Sequence, residues 1–237
     1  MTTAPFLVAG DPTATGAISS SRSPSTGTLT VPTGGWRAGD LILLGINILG
    51  SGPTVTYPPG WFDMGTTMIG AGNGISSFGH WITVDEAAAG TTSWTLTNLF
   101  AANATGRRLV SVWRSVNLLN PKGNWSQNTT SGSVLSIPNL TPAYDGSTVV
   151  CIGGVTLRTS AQTITAPTAP WSTDLGSTLS TGSTTTTAIG YQNSTTTTAG
   201  VAVSGQTLAL SASDTGVAVA IELRAAADNA GAFFGMF

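Results

Sequence analysis

The segment from Gly39 to Trp61, GDLILLGINILGSGPTVTYPPGW, sets the pattern for the rest of the chain. It indicates an apolar strand, a Gly/Ser turn, a short Thr/Val strand and a Pro-Pro-Gly corner that ends on Trp. The segment from Asp145 to Trp171, DGSTVVCIGGVTLRTSAQTITAPTAPW, has the same order, and its Trp follows the first by 110 residues. Flanking residues match at similar separations. The sequence therefore predicts two diverged copies of one unit, residues 28–116 and 134–226.

Strand signals occur throughout both copies, whereas helix signals are almost absent. Runs of about four to eight β-branched or apolar residues are bounded by Gly, Pro, Asn and Ser, a pattern typical of short strands. The first copy and the segment before it predict strands at Phe6–Ala9, Thr28–Val31, Leu41–Ile48, Thr54–Tyr57, Phe62–Ile69, Ser77–Val84, Ser93–Thr97 and Leu109–Arg114. The second copy predicts strands at Val134–Ile137, Thr148–Leu157, Gln162–Thr165, Thr186–Tyr191, Gly200–Val203, Thr207–Leu210 and Gly216–Arg224.

Two of these strands indicate how the sheets are covered. Leu41–Leu44 is apolar on both faces, which suits a central strand. In the last strand the alternate residues from Val217 to Leu223 share one face and Glu222 points away, as in a half-buried antiparallel strand. We therefore predict an all-β fold, an antiparallel β-sandwich (jelly-roll-like) built from two duplicated halves.

The duplication leaves two arrangements open. The copies form tandem small sandwiches, or they interleave into one larger sandwich with a pseudo-two-fold axis, which is the arrangement we favour. Residues 117–133 between the copies are polar enough for a linker, but they also resemble the segment before the first copy. We predict one β-sandwich over residues 1–226 and an apolar C-terminal anchor tail over residues 227–237.

Composition indicates a neutral, hydroxyl-rich surface. Charged residues make up 8% of the 237 residues, whereas about 25% is usual in soluble domains. The net charge is −2 and the basic residues are scattered, so no basic stripe predicts nucleic-acid binding. Weak charge repulsion between copies favours a component of an assembly, and we expect a homo-oligomer or a complex with other proteins.

The sequence shows no targeting or redox feature. The N-terminal residues lack a basic region and a long apolar run, so they do not predict a signal peptide. No apolar run is long enough to span a bilayer. Cys151 is the only cysteine and lies in an apolar strand pattern, where we expect a buried small side chain. We expect a protein made in a cytoplasm without classical secretion, which works outside the cell only if it leaves inside a particle.

The C-terminal segment ends on an aromatic cluster that breaks the strand pattern. Burying one Phe contributes roughly 1.5–3 kcal/mol, so these side chains are costly to leave in water. Either they pack on their own sandwich or, as we expect, they dock on a neighbouring chain. The predicted partner-binding residues are Phe233, Phe234, Met236 and Phe237.

No constellation of side chains predicts catalysis. His80 is the only histidine, so a catalytic triad or a histidine metal site would depend on it, and its counterpart in the second copy is Gly190. The carboxylates weighed for glycoside hydrolysis are Asp63, Asp85, Glu86, Asp174 and Glu222. Asp40 and Asp145 precede matched strands and predict structural turns that bond local backbone N–H groups. We predict no enzyme, no cofactor and no metal site.

Tryptophan residues offer the remaining candidates for ligand contact. Trp61 and Trp171 are matched by the repeat and are expected in the core, and Trp81, Trp94 and Trp113 lie in strand patterns. Trp36 and Trp125 lie in loop-like surroundings, where an exposed ring can stack on a sugar. Both are weak candidates for a ligand site, because packing on the sandwich edge is the default explanation for each.

Four motifs carry a resemblance over nearly the whole chain. They are Ala38-Gly-Asp-Leu-Ile-Leu43, Pro58-Pro-Gly-Trp61, Phe78-Gly-His-Trp81 and Trp94-Thr-Leu96, followed by a Trp-Arg-Ser-Val-Asn segment from Trp113. This pattern resembles modules of bacterial surface proteins and of virion proteins of actinobacteriophages. The Gly-Ala-Phe-Phe at Gly231 is similar to the endings of phage minor tail proteins. The resemblance implies a fold and an assembly, and it brings no catalytic residues.

The resemblance leads to a functional expectation. We expect a phage virion structural protein, a minor tail or tail-tip component that packs on other virion proteins and contacts the host surface through its loops, with a cell-surface glycan as one ligand. A capsid decoration protein is one alternative. A carbohydrate-binding β-sandwich module of a bacterial surface protein is another, which a secretion signal or an attached enzyme would favour.

Overall fold

The computed structural model describes residues 3–11, 27–30, 37–49, 59–68, 75–83, 93–96, 105–155, 163–172, 187–193 and 196–226. These ranges contain β-strands and no helix. The strands are β1 (Phe6–Asp11), β2 (Gly27–Thr30), β3 (Leu41–Leu49), β4 (Phe62–Met68), β5 (Ile75–Thr83), β6 (Ser93–Leu96), β7 (Thr105–Arg114), β8 (Lys122–Ser136), β9 (Thr148–Val155), β10 (Trp171–Ser172), β11 (Thr187–Asn193) and β12 (Thr207–Leu223). Across this part of the chain, no helix has the length and apolar character needed to cross a membrane.

Two five-stranded antiparallel sheets account for most of the strands. The first has the order β1-β7-β3-β5-β4, and the second has the order β10-β11-β9-β12-β8. A separate two-stranded sheet pairs β2 with β6. Each of these ladders joins strands from the same half of the chain, so hydrogen bonding between described strands does not interleave the two copies.

The central strand of the first sheet is buried as its sequence predicts. β3 pairs with β5 on one side and with β7 on the other. Leu41–Leu44 is at most 1% exposed, so both faces of this strand are covered. The prediction of a central strand at Leu41–Leu44 is confirmed.

One buried cluster contains residues of both sheets. It contains Leu41, Leu43 and Trp113 from the first sheet, and Val150, Ile152, Val219, Ile221 and Leu223 from the second. At Gly45 the backbone lies close to this cluster, since a Cβ built there would lie 2.5 Å from Cγ2 of Ile152. β7 also contacts β11, and β5 contacts β12.

A second cluster covers the opposite face of the second sheet. Cys151, Ala218 and Ala220 point into it from β9 and β12, and Trp171 closes it with its indole N–H 2.8 Å from the carbonyl of Ser204. Cys151 is fully buried, as predicted, and burial raises the pKa of its thiol. Because β12 is buried on both faces from Gly216 to Leu223, the prediction of a half-buried strand there is wrong.

Most predicted strands are present within a few residues of their predicted bounds, but the second half differs in three places. Thr207–Leu210 and Gly216–Arg224 belong to one strand, β12. Gln162–Thr165 and Gly200–Val203 form only isolated bridges, at Ile164 and Val203, so these two strand predictions are wrong. Most of the polar segment 117–133 lies in β8, since the ladder to β12 orders it without an apolar face of its own. The predicted strand Thr54–Tyr57 lies outside the described residues.

Candidate functional site

A fully buried carboxylate, Glu222, organises one end of the second sheet. Its Oε2 accepts hydrogen bonds from the backbone N–H groups of Asn124 at 2.8 Å and Ala143 at 2.9 Å. Its Oε1 accepts from the backbone N–H of Tyr144 at 3.0 Å and from the hydroxyl of Ser147 at 2.8 Å. A carboxylate has about four acceptor positions, and all of them are used here. Glu222 therefore fastens the start of β8 and the loop before β9 to β12.

Gly123 is required by the same arrangement. A Cβ built on Gly123 would overlap Oε2 and the side-chain carbons of Glu222. The start of β8 can therefore approach the carboxylate only because residue 123 has no side chain. A glycine between Lys122 and Asn124 is thus a packing requirement of the Glu222 cluster.

The loops beside Glu222 are bonded to one another. The hydroxyl of Thr197 lies 2.7 Å from the hydroxyl and the carbonyl of Ser147, and all three groups are buried. Asp145 Oδ1 accepts the backbone N–H of Ala199 at 2.8 Å. Residues 145–146 form the turn that the sequence predicted, but the carboxylate of Asp145 accepts an N–H group 54 residues away and not a local one.

The first half carries a different buried carboxylate at a similar place. Asp40 is 1% exposed, and Arg114 donates to it twice, from Nε to Oδ1 at 2.8 Å and from the terminal guanidinium nitrogen to Oδ2 at 2.8 Å. The backbone N–H of Arg37 also donates to Oδ2 at 2.8 Å, which confirms the predicted structural turn. The carboxylate raises the pKa of Arg114 through this hydrogen bond and its charge. The pair fastens the turn before β3 to the end of β7.

Among the candidates weighed for catalysis, His80 and Asp63 are backbone partners in neighbouring strands, whereas Glu222 lies in the second sheet. His80 lies in mid-strand in β5, in register with Leu44 and with Asp63 of β4. Glu222 is saturated by its four donors, and the other carboxylates weighed, Asp85, Glu86 and Asp174, lie outside the described residues. In the described ranges no group of three or more His, Cys, Asp and Glu residues is placed to hold a metal ion.

Trp125 lies within a strand, which corrects the loop predicted for it. It pairs in register with Ile221, and its side chain is 42% exposed. The ammonium group of Lys122 lies 5.6 Å from the centre of its ring. Thr129 and Ser131 follow on the same face and are also exposed. The strand therefore presents an aromatic ring, then the amide side chain of Gln127, and then the two hydroxyl side chains on one exposed face.

The other predicted binding residues fall outside the described residues. They are the second weak ligand candidate, Trp36, and the predicted partner-binding residues Phe233, Phe234, Met236 and Phe237.

The sequence reasoning missed one group of surface residues. The guanidinium of Arg224 lies 3.7 Å from the centre of the Tyr144 ring, and its Nε is buried without a hydrogen-bond partner. Leu119, in the turn before β8, is 99% exposed. Two adjacent leucines in a polar turn, Leu118 and Leu119, were a signal in the sequence. No signal in the sequence indicated the contact between Arg224 and Tyr144, since 80 residues separate them.

Comparison of the chain with protein-family models, with curated proteins and with solved structures gave no match.

Proposed function

We propose that the chain is a phage virion structural protein, a minor tail or tail-tip component that packs on other virion proteins and works without catalysis. The motifs from Ala38 to Trp94 and the Gly-Ala-Phe-Phe ending support this assignment, because they resemble those of such proteins. A capsid decoration protein is the nearest alternative. It shares the structural role but occupies the head.

The architecture we propose is a β-sandwich over residues 1–226 in which each duplicated half supplies one sheet. The order β1-β7-β3-β5-β4 has the same succession as β8-β12-β9-β11-β10 when each strand is matched to its counterpart. The strand pairs β1–β7 and β8–β12 each have a register shift near the start of the outer strand. The shift lies between Leu7 and Ala9 in β1, and opposite Ile221 and Leu223 in β8. The shared apolar cluster supports one body with a pseudo-two-fold axis between the sheets.

The structural role is supported by two buried carboxylates, Glu222 and Asp40, which are hydrogen-bonded to groups of the protein itself. The groups that donate to Glu222 belong to the start of β8 and to the loop before β9. Asp40 accepts hydrogen bonds from Arg114 and from a backbone N–H. A catalytic carboxylate needs an acceptor position directed at a substrate. Groups committed in this way stabilise loops, which suits a rigid building block.

The test is to locate the protein in particles. Phage particles that carry this gene are purified by density gradient, their proteins are quantified by mass spectrometry, and a tagged copy is labelled with gold for electron microscopy. We expect a fixed copy number per particle and label at the tail. Label on the head would support the decoration alternative, and absence from purified particles would contradict the proposal.

Glycan binding through Trp125 is a second candidate function. Its half-exposed ring and the polar side chains after it on the same face match the flat surfaces on which sugar rings stack and hydrogen-bond. The test is retardation in native gels that contain soluble polysaccharide from the host cell wall. Trp125→Ala should abolish the retardation and Phe62→Ala, at an exposed residue of the first sheet, should keep it. Equal migration of all three proteins with and without polysaccharide would contradict glycan binding.

A further inference from the structure

Exposed apolar side chains are concentrated at one end of the second sheet. The described structure has six large apolar side chains that are well exposed, and four of them, Leu119, Trp125, Tyr144 and Val201, belong to segments that meet where β8 begins and β12 ends. Leu119 and Val201 are 99% and 59% exposed. Such a concentration marks a protein interaction surface more often than chance exposure.

Hydrogen bonds show that these segments are neighbours. The backbone N–H of Arg224 donates to the carbonyl of Pro121 at 2.9 Å, and the side-chain amide of Asn124 donates to the carbonyl of Thr141 at 2.9 Å. The N–H of Gly200 donates to the carbonyl of Pro142 at 2.9 Å. The turn before β8, the loop before β9 and the loop around Val201 therefore form one end of the sheet.

Two cations belong to the same end. Lys122 lies over Trp125 and Arg224 lies over Tyr144, and neither forms an ion pair with a described carboxylate. Aromatic residues and arginine dominate the binding energy of protein interfaces. We call Leu119, Lys122, Trp125, Tyr144, Val201 and Arg224 the end surface. It fits a segment with several apolar side chains and a negative charge.

The chain itself contains such a segment, and it begins here. Ala225 pairs with Val116, and the N–H of Ala226 donates to the carbonyl of Ser115 at 2.8 Å, beside the turn that leads to β8. Residues 227–237 have the sequence ADNAGAFFGMF, and Asp228 is their one charged side chain. They also carry the aromatic residues Phe233, Phe234 and Phe237.

We propose that the end surface binds residues 227–237 of a second copy of this chain. Only 8% of the residues are charged, so little charge repulsion opposes the association of copies, which favours a segment from a second copy over the chain's own. The apolar side chains of the segment would cover Leu119, Tyr144 and Val201, and Asp228 would meet the two cations. This inference deepens the proposed packing role and rests on it, because it names the receptor for the C-terminal anchor.

The single lysine makes a direct test available, since Lys122 is the only lysine of the chain. Full-length protein made with ¹⁴N is mixed with full-length protein made with ¹⁵N, and a water-soluble carbodiimide joins amines to carboxylates that touch. Digested peptides are then sequenced by mass spectrometry. We expect linked peptides that join Lys122 to a carboxylate of residues 227–237, with half of them carrying one light and one heavy partner.

Three results would overturn the inference. Linked peptides of a single isotope would show that the segment covers its own chain. Lys122 linked only to carboxylates outside residues 227–237, or not linked at all, would show that the segment binds elsewhere. If the protein is present in particles while any of these results holds, the inference fails and the proposed function stands.

Light scattering after size exclusion gives a second measurement on full-length variants. Two double variants should each convert the oligomer to a monomer with an unchanged circular dichroism spectrum. One is Leu119→Ser with Tyr144→Ser in the end surface, and the other is Phe233→Ser with Phe234→Ser in the C-terminal segment. Phe62→Ser is the matched control, because it removes an exposed apolar side chain from the other sheet and should leave the oligomer intact. Oligomers of equal size in all variants would contradict the inference.

Discussion

Arg114 and Asp40 meet across 74 residues of sequence, with both guanidinium–carboxylate hydrogen bonds at 2.8 Å. Asp40 is almost fully buried, and Arg114 is 23% exposed. The pair lies where β3 begins and β7 ends. Glu222 has the corresponding task in the second half, where the carboxylate is on the strand and the loop supplies the donors.

Removing both partners of the Arg114–Asp40 pair should destabilise the protein by less than the sum of the two single removals. Asp40→Ala leaves the guanidinium and the Arg37 N–H without their acceptor, and Arg114→Ala leaves a buried carboxylate short of donors. We expect each to cost on the order of 3 kcal/mol. The double variant should cost about 1–3 kcal/mol less than the sum of the two. Urea unfolding followed by tryptophan fluorescence measures these free energies.

Asp145→Ala is the control for that series, because Asp145 is exposed and its carboxylate accepts a hydrogen bond from the N–H of Ala199 in a loop. It should cost about 1 kcal/mol or less. Free energies that simply add for Asp40 and Arg114 would show that the two side chains do not stabilise the fold as a pair.

Replacing Glu222 should loosen three segments at once. Glu222→Ala leaves the N–H groups of Asn124, Ala143 and Tyr144 buried without acceptors, which we expect to cost at least about 3 kcal/mol. Glu222→Gln keeps one acceptor oxygen but turns an NH₂ group toward N–H donors, so an intermediate loss is expected. Hydrogen exchange should show faster exchange at these three amides in both variants. Unchanged exchange would mean that Glu222 does not hold the loops.

The contact between Gly45 and Ile152 should be sensitive to added volume. A methyl group at Gly45 would lie 2.5 Å from the Ile152 side chain, between the two sheets. Gly45→Ala should therefore destabilise the fold by about 1–3 kcal/mol. Adding Ile152→Val should recover part of this loss, whereas Ile152→Val alone should cost about 0.5–1.5 kcal/mol. Purely additive losses in thermal and urea unfolding would show that the two sheets do not meet at this point.

Cys151 should make the protein less stable at alkaline pH. Burial raises the pKa of its thiol, so the folded chain keeps a proton that the unfolded chain releases above about pH 8.5. Stability is then complete below the unfolded pKa and falls as the pH rises, by up to about 1.4 kcal/mol per pH unit from this group. Cys151→Ala should be less stable at pH 7 and should show a flatter decline between pH 8.5 and pH 10.

The comparison of pH profiles from urea unfolding decides this point. Parallel profiles for the wild-type protein and Cys151→Ala would show that the thiol ionises equally in both states. In the folded wild-type protein the thiol should also react with a thiol reagent only as fast as the protein unfolds.

The sequence by itself determined the all-β class, the central strand at Leu41–Leu44, the buried Cys151 and the core position of Trp171. Each of these follows from local pattern: short β-branched runs between glycines, a strand apolar on both faces, and a tryptophan that recurs at a fixed separation. Such patterns arise because residues close in sequence share one strand and one face, so the sequence contains the relevant neighbours.

The tertiary structure alone decided which polar groups meet. It placed Glu222 among the amides of Asn124, Ala143 and Tyr144, joined Asp40 to Arg114, and stacked Arg224 on Tyr144. It also made a strand of Lys122–Ser136, which has no apolar face and is ordered by its long ladder to β12. The physical reason is the same in each case: a buried charge or a polar edge strand is stabilised by partners far away in sequence, and those partners become neighbours only when the sheets form.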